Sequence, residues 1–194
     1  MEVVRQMGLS PGQVVLDLCA GLGTKTTQMA EMMRNQGVVL ASDIDEAKLA
    51  MLRSNCQRLG DAIVQTVPAE QVDETAKALP RLDWILIDVP CSNTGVLARR
   101  PEARYRLNER AFEKLAGLQS ELLEQACKLA RPQTRIMYST CSIDGQENEQ
   151  VVTAFVQSHP EWRLQNSRVT LPSAGDAAIE WRDGGYFAVL VRET

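Results

Sequence analysis

One histidine, His159, is all the chain carries, and it precedes Pro160 in what reads as a connecting segment, where a solvent-facing position is expected. Cys-His and Ser-His-Asp catalysis therefore have little support. The five cysteines, Cys19, Cys56, Cys91, Cys127 and Cys141, include no CxxC pair. An odd set with a single histidine favours neither a zinc site nor a disulfide framework, and no metal is expected. Positive charge is not in excess. Lys and Arg number 21 against 25 Asp and Glu, a net charge of −4, which argues against a protein that coats nucleic acid through its overall field. Contact with a polyanion must come from a local patch. No apolar run approaches the ~20 residues of a membrane span, and the N-terminus lacks the charged-then-apolar order of a signal peptide. A cytoplasmic protein with reduced thiols and no membrane association is expected.

What is present is the composition of a folded domain: 194 residues, 44% hydrophobic and 24% charged, enough for one globular unit over 1–194 with a real core. Short β-rich runs alternate with helical stretches. "QVVLDL" (13–18), "GVVLASD" (37–43), "AIVQTV" (62–67), "LDWILIDV" (82–89) and "TRIMYST" (134–140) predict strands. Helices are expected over about 26–35, 46–59, 72–78, 109–129 and 147–158, and two further strands over "WRLQ" (162–165) and "YFAVLVR" (186–192). The alternation predicts an α/β fold, a mostly parallel seven-stranded sheet with helices on both faces. The last two runs break the pattern and predict an antiparallel hairpin at the sheet edge. The first strand falls almost at the start, which predicts an excised core or a chain stripped of N-terminal extensions. Cys56 and Cys127 lie in helical stretches and read as small buried hydrophobes.

In doubly wound sheets ligands bind beyond the carboxyl ends of the strands. The loop after the first strand reads "LDLCAGLGTKTTQ". Gly21 and Gly23 allow a sharp turn and close approach of backbone to ligand, and Asp17 can orient either. Asp43, at the tip of the second strand in "ASDIDEAKL", can accept hydrogen bonds from both hydroxyls of a ribose, while Asp45 suits an N-cap. Such a loop and acid fit NAD as well as S-adenosylmethionine. The GxGxxG spacing that brings a helix N-terminus to a pyrophosphate is missing. That favours S-adenosylmethionine, which has no phosphate to cradle, and leaves the dinucleotide as the weaker alternative.

The fourth strand runs into "IDVPCSNTGVLARRPEARYR" and the fifth ends in "YSTCS", so Asp88, Cys91 and Cys141 should open onto the edge where cofactor and substrate meet. Two thiols beside a methyl donor suit methylation of a pyrimidine ring carbon. A thiolate adding to carbon-6 of cytosine makes carbon-5 enamine-like. A second acid/base group must then remove the carbon-5 proton and free the enzyme, and Cys91 is placed to be that group.

At these residues the chain resembles the Sun (Fmu) type of RNA cytosine-C5 methyltransferases, in the Nop/Sun group of class I S-adenosylmethionine-dependent enzymes. The likeness covers nearly the whole chain, through "LDLCAGLGTKTTQ", "SDIDEAKL", the Pro-Cys motif, "YSTCSIDGQENE" with its Thr-Cys motif, and "DGGYFAVLVR". It implies a Rossmann-like class I methyltransferase domain with Cys141 as nucleophile and Cys91 assisting release of the methylated product. Chemistry alone leaves that order open, since DNA cytosine methyltransferases use the Pro-Cys thiol as nucleophile. The resemblance further implies that Asp17, Cys19, Ala20, Gly21, Leu22, Gly23, Thr24, Lys25, Asp43 and Asp88 bind S-adenosylmethionine, with Asp88 also near the target base. Arg99 and Arg100 would contact the RNA backbone. The loop departs from the family's Cys-Ala-Ala-Pro-Gly-Gly-Lys at Gly21, Leu22 and Thr24. Pro68 stands where an acid usually meets the adenine amino group, with Glu70 as a substitute. The family's N-terminal RNA-binding extensions are expected to be absent here, so RNA, single-stranded or looped and ribosomal in character, should be bound weakly by this domain alone. A non-catalytic module that binds S-adenosylmethionine or RNA is the competing reading.

Overall fold

The computed structural model describes residues 2–174 and 181–193, which fall into two compact units, Met1–Asp88 with Ala126–Met137 and Val89–Gln125 with Tyr138–Thr194. Seven strands, β1 (Val14–Asp17), β2 (Val38–Asp43), β3 (Val64–Pro68), β4 (Trp84–Asp88), β5 (Arg135–Thr140), β6 (Trp162–Thr170) and β7 (Gly185–Arg192), are ordered β3-β2-β1-β4-β5-β7-β6. The seven-stranded α/β sheet expected from the alternation is therefore found. Among the described residues no helix is long and apolar enough to cross a membrane.

In the first unit β1 pairs in parallel with both β2 and β4, and β2 with β3. All four residues of β1 are buried, as are the first four of β4, because strands covered on both faces read as continuous apolar runs. The helices α2 (Thr24–Met32), α3 (Glu46–Leu59) and α4 (Val72–Ala78) connect them. Asp45 caps α3, its carboxylate accepting from the amides of Ala47 and Lys48. Gly60 ends it at φ +77°, in the left-handed conformation that suits glycine. Leu49, Leu52 and Cys56 face Ala20 and Ala41 in one buried cluster, so Cys56 is the small hydrophobe expected. A short helix, α1 (Glu2–Gln6), precedes β1, where the sequence pattern gave no element. Five residues with one buried side chain, Val4, carry too little periodicity to be seen.

In the second unit α5 (Glu109–Leu129) contributes all but its last turn, and α6 (Glu149–Ser158) leads into the antiparallel pair β6 and β7. The C-terminal hairpin is thus as expected. However, β6 runs to Thr170, five residues beyond the sequence-based boundary, because its register continues along β7 to Thr170↔Gly185 after an irregularity between Leu164 and Asn166. The solvent-facing reading of His159 is corrected. Its ring stacks on Phe155 with centroids 4.3 Å apart, and Nε2 lies 3.3 Å from a Glu124 carboxylate oxygen. The residue closes α6 rather than floating in a connection.

Candidate functional site

The first unit holds the glycine loop. Leu18 N donates to Leu86 O on β4, and Ala20 N to Ser42 O on β2, at 3.0 and 2.9 Å, so the chain leaving β1 is tied to both neighbouring strands before it turns. Gly21 and Gly23 then adopt φ +55° and +89°, where a Cβ is strained. At Gly23 a Cβ would also stand 2.0 Å from Leu52 Cδ1. Gly21 N donates to Asp43 Oδ2 at 2.8 Å, and Asp43 Oδ1 accepts from Asp45 N at 2.9 Å. The expected ribose acid thus braces the loop first. Each of its oxygens keeps a second lone pair for a ligand hydroxyl. Lys25 is ion-paired with Asp88 at the end of β4. Leu22 and Thr24 are exposed and Cys19 is partly buried. Pro68 is the register partner of Asp43, and Glu70 is exposed in the turn after it.

Asp17 is buried, with Thr26 Oγ1 donating to its Oδ2 at 2.8 Å and its Oδ1 left without a good partner. Burial raises its pKa from 3.8 to about 7; the Thr26 hydrogen bond opposes this, the Asp88 charge adds to it, and Lys25 and the Cys19 amide oppose it. The folded protein thus holds a proton that the unfolded chain releases. This stability is full below pH 4 and declines between about pH 4 and 7, by on the order of 4 kcal/mol. Asp17→Asn should flatten the fall in melting temperature over that range; an unchanged pH profile would contradict the assignment. Burial, then the charges of Asp17, Asp88 and Asp43, also push the Cys19 thiol far up, so it is inert as a nucleophile.

The second unit holds the thiol pair. Cys91 Sγ and Cys141 Sγ are 3.0 Å apart, and neither cysteine is in a disulfide. Asn93, in the left-handed region at φ +65°, bridges them. Its Nδ2 donates to Cys91 O at 3.0 Å, and its Oδ1 accepts from Cys141 Sγ at 3.1 Å. The hydrogen bond with Cys141 is the largest cause raising the Cys91 pKa, followed by burial and the charge of Cys141; the Asn93 amide opposes them and Glu147 adds weakly. The Cys141 neighbour and burial thus favour the protonated form of the Cys91 thiol.

The two cysteine loops also meet main chain to main chain. Gly95 N donates to Cys141 O at 2.9 Å, and Gly184 N to Gly95 O at 2.7 Å. A Cβ on Gly95 would stand 2.5 Å from Gly184 C and 2.8 Å from Cys141 O, and one on Gly185 2.7 Å from Thr140 O. Beneath them lies a residue given no role from sequence. Glu147 is fully buried; its carboxylate accepts from Ser92 N at 2.9 Å, Ser92 Oγ at 2.5 Å and Gln119 Nε2 at 3.0 Å. Its backbone oxygen accepts from Tyr138 OH at 2.5 Å. Asn148 Oδ1 accepts from Thr140 Oγ1 at 2.7 Å, and its Nδ2 donates to Ser142 O at 3.0 Å. The available signal was an acid-amide pair just before a helix, together with Gln119 on the buried face of α5. Of the two arginines expected at RNA, Arg99 is engaged by Asp183 through both Nε and Nη2. Arg100 lines a cavity beside Cys91.

Comparison with known proteins places this arrangement. Ribosomal RNA small subunit methyltransferase B of Yersinia pseudotuberculosis is 36% identical over 189 residues, 94% of this chain and 43% of its own length. The probable enzyme of that name from Bacillus subtilis is 34% identical over 164 residues, 84% of this chain and 36% of its own. The chain thus spans less than half the length of these relatives. The crystal structure of PH0851 superposes with a TM-score of 0.83 at 33% identity, covering 98% of this chain and 45% of that one. NSun6 from Pyrococcus horikoshii, solved with the S-adenosylmethionine analogue SFG, gives 0.79 at 25% identity, covering 98% and 50%. A precorrin-6y C5,15-methyltransferase from Geobacter metallireducens, 13% identical with a TM-score of 0.67, shares the fold alone, and the Rossmann-like class I methyltransferase architecture is that fold. With residues 5–180 matching the profile "16S rRNA methyltransferase RsmB/F", the chain belongs to the RsmB/F family of ribosomal RNA methyltransferases.

Proposed function

We propose that this chain is the catalytic domain of an S-adenosylmethionine-dependent ribosomal RNA methyltransferase that acts on carbon-5 of cytosine through a covalent cysteine-base intermediate. The observation that carries the reading is the 3.0 Å contact between two reduced thiols, with the Cys91 thiol pushed up by its neighbour and by burial. The first unit's residues suit the cofactor. The loop turns at two positive-φ glycines, Asp43 retains acceptor capacity for ribose hydroxyls, and Asp17 keeps a buried oxygen without a good partner. The cofactor supplies a methyl group on a sulfonium, and nothing in the loop resembles a pyrophosphate cradle.

The raised pKa of the Cys91 thiol supports the following order of steps. Cys141 releases to solvent the proton it shares with Asn93 Oδ1, the Cys91 S–H stabilises the resulting anion, and the sulfur adds to carbon-6, its electron pair making carbon-5 nucleophilic. Carbon-5 would then take a methyl group from S-adenosylmethionine held by the glycine loop and Asp43, the electron pair of the broken bond staying on the cofactor's sulfur. Once Cys141 sulfur is bonded to carbon its charge is gone, and with it two of the three main causes that raise the Cys91 pKa. Cys91 can then give its proton to solvent water and, as a thiolate, accept the carbon-5 proton. The released C–H pair restores the ring double bond, and Cys141 departs as a thiolate that again receives the Cys91 hydrogen bond.

Transfer of labelled methyl from S-adenosylmethionine to small-subunit ribosomal RNA tests the reading, with bisulfite sequencing to locate the product. Label on carbon-5 of cytosine is expected. Label on another atom, or none, would overturn it.

A further inference from the structure

We propose that the groove between the turn at Pro101–Arg106 and the first turns of α5 seats the nucleotide adjoining the target cytosine, with its base against Phe112 and its phosphate held by Arg100, Arg106 and Lys114. The proposal rests on RNA being the substrate. The cavity measures about 340 Å³, and Cys91, Phe112 and Lys114 are all in its wall. That volume is at the lower end for small-molecule sites and is of the size of a single nucleotide. Cys141 is not in the wall. A base undergoing the reaction needs both sulfurs, so the groove is not the slot of the reacting base, yet it opens onto the thiol beside that slot. This places the strand's next residue in it.

The chemistry of the wall agrees. Three cations face one carboxylate, that of Glu102, and none of the three is held in an ion pair with another described residue. In a chain of net charge −4 such a local excess is what phosphate contact requires. Phe112 is half-buried in the groove, and an aromatic face takes any base without reading its sequence. A protein segment filling the groove would cover Cys91 and close the reaction.

The test uses the 194-residue chain and a short single-stranded RNA with one cytosine, carrying 4-thiouridine immediately 5′ of it in one probe and 3′ in the other. Long-wave irradiation of one of the two probes should crosslink to peptides within 100–118. Phe112→Ala should raise the RNA KM roughly tenfold with little change in kcat. Lys114→Glu, at an exposed position that tolerates substitution, should do likewise and reduce the salt dependence of RNA binding by about one ion. If methyl transfer proceeds but neither probe crosslinks there and both variants keep the wild-type KM, the groove seats protein and the proposal falls. If crosslinks form there but no methyl is transferred, the groove stands and the methyltransferase reading fails.

Discussion

Cys141→Ser is expected to abolish methyl transfer, by at least roughly a thousandfold, while leaving S-adenosylmethionine binding intact. A serine hydroxyl is far harder to ionise than a thiol and is a much weaker nucleophile toward carbon-6. Cys91→Ser should behave differently. The adduct still forms through Cys141, but the group that would take the carbon-5 proton is now a hydroxyl. The covalent protein–RNA species then persists and runs as a shifted band on a denaturing gel. Should Cys141→Ser retain activity, with Cys91→Ser dead and free of adduct, the two roles would have to be exchanged.

The second large effect is on stability. Glu147→Ala removes the acceptor of Ser92 N, Ser92 Oγ and Gln119 Nε2 at a fully buried position. Buried donors left unpaired cost about 1–3 kcal/mol each, less whatever entering water recovers, for a net loss of about 3–5 kcal/mol. At about 2–4 °C per kcal/mol for a chain of this size, the melting temperature should fall by roughly 10 °C. Glu147→Gln keeps the shape and one acceptor and should lose less than half as much. A Glu147→Ala protein that melts with the wild type would mean that the two cysteine loops are held by something else.

Sequence was informative where the determining contacts are local. The bounds of α3 follow from Asp45, Gly60 and the spacing of Leu49, Leu52 and Cys56, all within one helix length, and they coincide with the structure. The length of β6 was underestimated because its polar second half is a strand only by virtue of pairing with β7. The same division holds in the site. Strand-end position made Asp43, Asp88, Cys91 and Cys141 visible. The commitment of Arg99 to Asp183, 84 residues away, and the grip of Glu147 on Ser92, 55 residues before it, arise only when distant loops meet. The sulfur-sulfur contact itself spans 50 residues, and neither motif alone reveals it.

The glycines at 95, 184 and 185 make the spacing of the two cysteine loops a matter of close main-chain packing. Peptide groups meet directly, Gly95 against Cys141 and Gly184, so the backbones that carry the two thiols are fixed against each other, and the Asn93 side chain holds the Cys141 sulfur. Moving either loop means breaking backbone hydrogen bonds rather than flexing a side chain. The thiols therefore meet a substrate already at their working separation, and the cost of organising them is met when the protein folds instead of at each turnover.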